Sequence, residues 1–413
     1  MNIWFFNHYA VPPWLYPLAR PYNFAKYLIK DGHSVTIFAA STVHNSDKNL
    51  IADKERYKIK NIDNINYVYI KARDYKSNGM DRIKNMADYF LRIFKITKII
   101  DKGYSKPDII MATSVHPLAC VAGILIAKRY KIKCVVEIAD LWPLTLVELG
   151  RLKQDSLITR LIYKLEHWIY KKADSIIFTM EGGKDYIIDK KWDDDISLKK
   201  VYYINNGIDI EEFNKSKYKY IYNDKHLDNN SFFKIVYTGS IRKANSVQDI
   251  IEAAKMLQNK YDNIIFIIFG KGDYKEKLEE YCIDNNVQNV IFKGSVDKKY
   301  IPNILSKSNL NIFTGKTDAL CKYGLSLNKL FDYLASGKPI LSNMECEYDI
   351  LNKYKCGITI TGNSVNNLVK AILEFYNMDE DKYLEYCENS VIASKEYDFR
   401  KLTDDLKQVF LQL

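Results

Sequence analysis

Short apolar runs rich in β-branched residues recur along the whole chain, and each leads into a segment with helical periodicity. In the first half the runs fall at 2–7, 34–40, 67–71, 108–113, 134–139, 175–180 and 201–205. Segments at 22–30, 117–130 and 156–172 separate them with apolar residues at helical spacing. Near-continuous apolar strands alternating with helices predict a parallel sheet covered on both faces. The stretch 214–231 (NKSKYKYIYNDKHLDNNS) is polar and aperiodic and reads as a linker or surface loop. The alternation then restarts, with strands expected at 234–238, 264–269, 290–292, 311–313, 339–342 and 358–361. Helices are expected at 247–258, 274–285, 327–335 and, last, 398–411. The pattern predicts an α/β chain of two doubly wound, Rossmann-like domains. Their boundaries are read as 1–207, a linker 208–231, 232–390, and a terminal helix 391–413 free to return to the first domain. Ligands of such sheets bind beyond the carboxyl ends of the strands, at switch points. A cleft between two such domains is the expected site.

Composition narrows the class. The 413 residues are 47% hydrophobic and 27% charged, with 17 Gly and 9 Pro, which excludes collagen-like and wholly disordered chains. The seven cysteines, at 120, 134, 282, 321, 346, 356 and 387, form no C-x-x-C pair. Reduced thiols in a cytosolic protein are expected, rather than a disulfide framework or a zinc site. The opening MNIWFFNHYAVPP has neither a basic n-region nor a long apolar core, so it reads as a first strand and not a secretory signal. No transmembrane helix is expected.

Charge is uneven. Residues 1–200 carry 33 Lys and Arg against 22 Asp and Glu, whereas residues 201–413 carry 28 against 29. A basic first half suits nucleic acid, an anionic membrane surface or a phosphorylated acceptor, or simply a solvated surface. The segment 81–102 (DRIKNMADYFLRIFKITKIIDK) reads as one long helix. Met86, Phe90, Ile93, Phe94 and Ile100 recur at helical spacing among Arg82, Lys84, Arg92, Lys95, Lys98 and Lys102. Such a helix suits an anionic lipid interface, and equally a crossover helix packed on a sheet.

Four segments carry candidate chemistry. Tyr237-Thr238-Gly239-Ser240-Ile241-Arg242-Lys243 ends a strand, turns and leads towards a helix; backbone N–H groups and two cations there could hold phosphate, or form a charged surface turn. Phe269-Gly270-Lys271-Gly272-Asp273 and Val290–Val296 are the next strand-to-loop transitions, and Gly272 allows close backbone approach. In YGLSLNKLFDYLASGKP, a Gly-containing loop enters a helix with Ser326 as expected N-cap, and Asn328 and Lys329 in its first turn. Asp332, one turn on, could accept two ribose hydroxyls; periodicity alone fits an ordinary capped helix as well.

The segment YGLSLNKLFDYLASGKPI resembles the donor-binding helix of glycosyltransferase family 4, the retaining nucleotide-sugar transferases of GT-B fold. Further resemblances follow in order: YINNGID with Phe213, YTGSIRKANSVQDIIEAAKML, IFGKGDYKEKLEE and VIFKGSV. At the front, NHYAVPP, Arg20 and GHSVTIF resemble the family's acceptor domain. ADLWPLTLVELG resembles a branch handling acetamido sugars of the N-acetylfucosamine type in bacterial surface polysaccharides.

The resemblance implies roles. Gly239, Ser240, Arg242 and Lys243 would flank a diphosphate, with Leu327, Asn328 and Lys329 completing the cradle and Asp332 taking the ribose. Gly272 and the loop from Phe292 to Val296 would face the base. His116 (TSVHPLA) would lie beside the donor sugar, with Asp140 assisting; His116 could instead cap the next helix, and Asp140 a turn or helix. His8 and Trp142 would lie on the acceptor side. No metal or cofactor is expected beyond the nucleoside-diphosphate sugar, since Arg242, Lys243 and Lys329 can meet the leaving charge. The implied acceptor is a polyprenyl-diphosphate-linked glycan at the inner face of the plasma membrane, engaged through 81–102, with no nucleic acid as partner. The sequence departs from the family in one place: the usual first Glu of its E-x7-E pair is Gly324, while the second acid is Asp332. A GT-B sugar-nucleotide epimerase and a basic nucleic-acid-binding protein are the alternative classes.

Overall fold

The computed structural model describes residues 1–16, 19–44, 46–52, 54–75, 79–103, 106–362 and 364–413. The chain forms two compact units: Met1–Asn205 with Phe399–Leu413, and Asn206–Asp398.

The first unit is built on strands β1 (Asn2–Phe6), β2 (Ser34–Ala40), β3 (Tyr57–Ile62), β4 (Ile65–Ile70), β5 (Ile109–Thr113), β6 (Lys133–Ile138), β7 (Ser175–Phe178) and β8 (Val201–Tyr203). They lie in the order β3-β4-β2-β1-β5-β6-β7-β8, all parallel except the β3–β4 hairpin. Sequence patterning had not marked β3, whose side chains are half-buried or exposed, with no apolar run to announce it. Its two-residue turn, Asp63-Asn64, has φ of 51° and 64°, the backbone that hairpin turns need and that Asn and Asp tolerate. The central strand β1 buries Ile3, Trp4, Phe5 and Phe6, as a strand covered on both faces must.

One face of this sheet carries helix Arg20–Lys30, which opens with Pro21 in its first turn. Phe24, Ala25 and Leu28 from it meet Phe399, Leu402 and Leu406 of the last helix, Phe399–Leu411, in one buried cluster. The Phe24 and Phe399 rings lie 5.5 Å apart, edge to face. Asp31 holds Arg400 at 2.8 Å and also pairs with Lys407. Helix Met80–Gly103 buries Asn85, Met86, Tyr89, Ile93, Ile96, Thr97 and Ile100, so the segment 81–102 does pack on the sheet by its apolar stripe.

The second unit holds β9 (Phe233–Thr238), β10 (Ile264–Phe269), β11 (Val290–Gly294), β12 (Leu310–Phe313), β13 (Ile340–Ser342) and β14 (Gly357–Thr359), all parallel, in the order β11-β10-β9-β12-β13-β14. Every residue of β10 is buried, and two clusters of buried apolar side chains include residues of this sheet.

The expected boundaries shift. Residues 208–231 are not a linker: they belong to the second unit, and helix Ile210–Lys219 runs through their first half. Asp209 caps that helix by accepting from Glu212 N at 3.0 Å, and Phe213 and Ser216 bury one face, a short pattern that the surrounding Lys and Tyr residues obscure. Residues 391–396 likewise finish a second-unit helix, Glu380–Glu396, so only the last helix lies in the first unit.

Both sheets have one place where the chain's direction of winding reverses. In the first it lies between β1 and β5, in the second between β9 and β12. The loops leaving these four strands are where a doubly wound sheet places its ligands.

Candidate active site

In the first unit the loop after β1 supplies His8 and the loop after β5 supplies His116. Both are buried, at 0% and 1% exposure, and their rings meet edge to face with centroids 4.6 Å apart. His116 is the residue before helix Pro117–Tyr130, yet its side chain makes no cap, and neither ring nitrogen has a hydrogen-bond partner. The capping alternative is thereby set aside. His8 Nε2 lies 2.7 Å from Asn85 Oδ1, while its Nδ1 has no partner. Burial holds both imidazoles neutral: it pulls His8 down to about 3 and His116 well below the ordinary value, with the nearby Arg82 adding to the effect.

Around this pair stands an aromatic wall that the sequence had not marked. Tyr9 stacks on His44 at 4.4 Å, and Tyr89 approaches His8 at 4.8 Å. Arg82 Nε donates to the Tyr9 hydroxyl at 2.9 Å, and the Tyr75 hydroxyl lies 2.7 Å from His44 Nδ1. Asn85 and Tyr89, polar atoms four residues apart on the inward face of a mostly apolar stripe, were the available signal.

Asp140 is exposed just past β6, and the following short helix takes Pro143, not Asp140, as its N-cap. Trp142 is half-buried, and its indole N–H has no acceptor. Glu137 is structural: its carboxylate accepts from Arg20 Nε at 2.7 Å and from Thr113 Oγ1 at 2.9 Å. Arg20 in turn donates to the carbonyls of Ile204, at 2.9 Å, and Asn205, at 2.5 Å.

In the second unit the reversal point gathers Gly239, Tyr237 and Lys329. Lys329, in the first turn of helix Asn328–Ala335, reaches back so that Nζ donates to the Tyr237 hydroxyl at 3.0 Å and sits 4.3 Å over its ring. The Tyr237 hydroxyl spends its own proton on the carbonyl of Ser240, at 2.7 Å. Gly239 has φ +150°, and a Cβ there would lie 3.0 Å from Lys329 Nζ and 3.3 Å from the Tyr237 hydroxyl. Among the described residues no carboxylate pairs with Lys329. Burial without a counter-charge pulls its ammonium down to about 7.

Neighbouring loops are laced together by backbone. Gly239 N donates to Phe269 O at 3.0 Å, Ile241 N to Lys271 O at 2.9 Å, and Gly270 N to Gly294 O at 2.8 Å. The close approach that Gly272 permits is to the carbonyl of Ile241, where a Cβ would fall at 2.0 Å; the loops touch each other there. Phe292 is half-buried with the Lys275 ammonium 5.7 Å from its ring centre, and Val296 packs against a buried apolar cluster. Arg242 and Lys243 are exposed on the loop after β9. Ser240 Oγ donates to Asn245 Oδ1 at 3.2 Å.

Ser326 is not the N-cap of helix Asn328–Ala335. Leu327, in extended backbone with φ −86° and ψ 122°, occupies that position and gives no side-chain cap. The first-turn N–H groups therefore carry no capping side chain beside the Lys329 ammonium. Asn328 is exposed, and its Oδ1 accepts from Asn206 Nδ2, within the second unit. Asp332 is half-buried; burial raises its carboxyl above the usual range, against the pull of Lys298. Gly324 adopts φ +98° after the turn Cys321–Tyr323, where L side chains are strained.

Residues 21–212 match the family model Glycosyltransferase Family 4, and residues 221–392 match Glycosyl transferases group 1. A probable glycosyltransferase of Pseudomonas aeruginosa, WbjE, is 22% identical over 263 residues, covering 62% of this chain and 61% of its own. The uncharacterized glycosyltransferase MJ1059 of Methanocaldococcus jannaschii is 25% identical over 264 residues, covering 61% and 58%. The chain thus spans about three fifths of the length of these curated relatives. Among solved structures, HepE of Anabaena in complex with UDP and glucose superposes with a TM-score of 0.67 at 15% identity, over 100% of both chains. Residues 21–212 are thus similar to a glycosyltransferase family 4 domain and residues 221–392 to a glycosyl transferases group 1 domain, on the two-domain fold of GT-B glycosyltransferases.

Proposed function

We propose that this chain is a retaining glycosyltransferase whose second unit binds a nucleoside-diphosphate sugar. The observation that carries the reading is Lys329: a half-buried lysine with no carboxylate partner among the described residues, at an uncapped helix start, beside a glycine at the sheet's reversal point. Such a group lacks only an anion. Negative charge grows on a diphosphate as the anomeric bond breaks, and preorganised donors lower that barrier most. Lys329 and the Asn328–Lys329 amides meet this charge, with Arg242 and Lys243 flanking the diphosphate and Asp332 on the ribose. The bond from the sugar's anomeric carbon to the diphosphate oxygen breaks. The acceptor oxygen bonds to the same face of that carbon, and its proton passes to the departing diphosphate. Configuration is retained without an enzyme nucleophile or a metal. His116 and Asp140 orient the sugar.

The base is uracil and the sugar an N-acetylated hexosamine or deoxyhexosamine; the complexes of HepE with UDP and the ADLWP segment support this. The acceptor is a lipid-linked glycan of a bacterial surface polysaccharide, held on the basic first unit with His8 and Trp142. No helix among the described residues is long and apolar enough to cross a membrane, and the proposed attachment is peripheral. Helix Met80–Gly103 leaves Ile83 and Leu91 exposed beside Arg92, Lys95 and Lys98, and helix Leu157–Lys172 exposes Leu157, Ile158 and Leu161 beside Arg160 and Lys164. Apolar side chains edged by cations suit an anionic bilayer.

The test incubates the chain with UDP-, GDP- and ADP-linked sugars and a polyprenyl-diphosphate sugar in anionic vesicles, reading the product's anomeric configuration by NMR. Transfer with retention from the UDP-linked N-acetylated sugar is expected. Inversion, or isomerisation of the sugar nucleotide with no acceptor consumed, contradicts the reading.

A further inference from the structure

Asn85 is wholly buried on the inward face of helix Met80–Gly103, and the chemistry of its neighbours fixes which way its amide points. Its Nδ2 lies 2.6 Å from the carbonyl oxygen of Arg73, which can only accept, and 3.1 Å from Thr42 Oγ1. Its Oδ1 therefore faces His8 Nε2, at 2.7 Å. An amide oxygen accepts and never donates, so the proton between them belongs to His8 Nε2. The charged and titratable groups facing His8 are Arg82 and Tyr89 on the same helix, His44 after β2, Tyr9 on its own loop and His116 after β5. None is a carboxylate, and a second proton on the buried ring would add its charge to that of Arg82. A neutral ring protonated on Nε2 keeps a bare lone pair on Nδ1. That atom is buried without a partner, as are both ring nitrogens of His116 beside it.

We propose that Asn85 is a positioning residue for sugar transfer: by fixing His8 as the neutral Nε2–H tautomer it presents Nδ1 as a hydrogen-bond acceptor for a sugar hydroxyl and braces the His116 ring against it. The proposal rests on the transferase reading above. Arg73 and Thr42 hold Asn85 from the other side, so the tautomer of His8 is set by the helix and by the strands' loops together. The pair behaves as the outer partners of catalytic imidazoles do, where the hydrogen bond at one nitrogen decides the chemistry at the other.

The direct test is long-range ¹H–¹⁵N NMR of the full chain labelled on its six histidines, with the His8 signal identified by its loss in His8→Gln. His8 in the unmutated chain is expected to show the Nε2–H tautomer and to remain neutral between about pH 5 and 8. The Nδ1–H tautomer, or protonation in that window, overturns the proposal whatever the activity. The companion variant is Asn85→Asp, nearly isosteric, whose carboxylate accepts from Nε2 and favours the doubly protonated ring. It is expected to lower kcat about 10- to 100-fold near neutral pH with the donor KM unchanged. Activity should recover as pH rises and His8 sheds the added proton. A loss equal at every pH, or no loss, overturns the positioning role. Absence of transfer by the unmutated chain from any sugar nucleotide overturns the transferase reading and the role of Asn85 with it; transfer together with the wrong tautomer overturns the role of Asn85 alone.

Discussion

Lys329 Nζ stands 3.0 Å from the Tyr237 hydroxyl and 4.3 Å from the centre of its ring, in space that Gly239 leaves open. A cation is thus parked on a phenol and a π face, a weaker partner than the diphosphate proposed for it. Lys329→Ala is expected to cut turnover by about 10²–10³, the scale for one transition-state contact. Gly239→Ala places a Cβ 3.0 Å from Nζ in a backbone region that L side chains avoid, so it should weaken donor binding without touching a charge. Steady-state kinetics on both variants checks this; unchanged rates would remove Lys329 from the site.

Lys329 also predicts a proton linkage. Burial depresses its ammonium to about 7 in the free protein, and a bound diphosphate would restore its charge and raise it again. Above about pH 7 donor binding should therefore take up close to one proton, and affinity should fall as pH rises. Calorimetry in two buffers of different ionisation enthalpy measures the uptake directly. Equal heats in the two buffers at pH 8 would mean that Lys329 does not meet the phosphates.

Glu137 and Arg20 form a pair whose side chains are 2% and 11% exposed, and Arg20 also binds the two carbonyls at the end of the first unit. Removing one partner strands the other in the interior, at about 3–5 kcal/mol. Glu137→Ala should lower the denaturant midpoint accordingly, with the transition still cooperative; a shift within error would show the pair to be dispensable.

Glu166 is held by the hydroxyls of Tyr170, at 2.7 Å, and Tyr186, at 2.8 Å, and burial pushes its carboxyl up to about 8. The folded protein keeps this proton where an unfolded chain has lost it, so stability should decline as pH rises from about 5 to 9. Glu166→Gln retains the partners and removes the titration. Its melting temperature should gain on the unmutated chain across that range, and parallel curves would contradict the assignment.

Membrane attachment divides into two contributions. Charge reversal at Arg92, Lys95 and Lys98 should abolish flotation with anionic vesicles, each charge contributing about 1 kcal/mol near the surface. Replacing Leu157, Ile158 and Leu161 with Ser should weaken it at any ionic strength. No flotation of the unmutated chain would leave a soluble acceptor, and flotation unaffected by both sets of substitutions would place the attachment on another surface.

The alternation of apolar runs and helical segments disclosed both sheets, because buried parallel strands have no polar face to hide them. It missed β3, whose half-exposed side chains carry no such run, and it read 208–231 as a linker because one buried Phe and one Ser make too short a stripe to stand out among lysines. The site was legible where chemistry sits in consecutive residues, as at Gly239 and Lys329. It was not legible where chemistry depends on a side chain from a distant element. Nothing in the order of residues pairs Asn85 with His8, or turns Lys329 back onto Tyr237. Ser326 failed as a cap for a local reason: the helix begins one residue later, at Asn328, which puts a Leu in extended backbone at the cap position.

The central claim is that the second unit holds a nucleoside diphosphate on Lys329. The most direct measurement is titration calorimetry of UDP, GDP and ADP against the unmutated chain and Lys329→Ala at one pH and ionic strength. Selective binding of UDP, lost or reduced at least tenfold, about 1.4 kcal/mol, in the variant, is the predicted result. Binding of none of the three, or equal affinity in the two proteins, would contradict it.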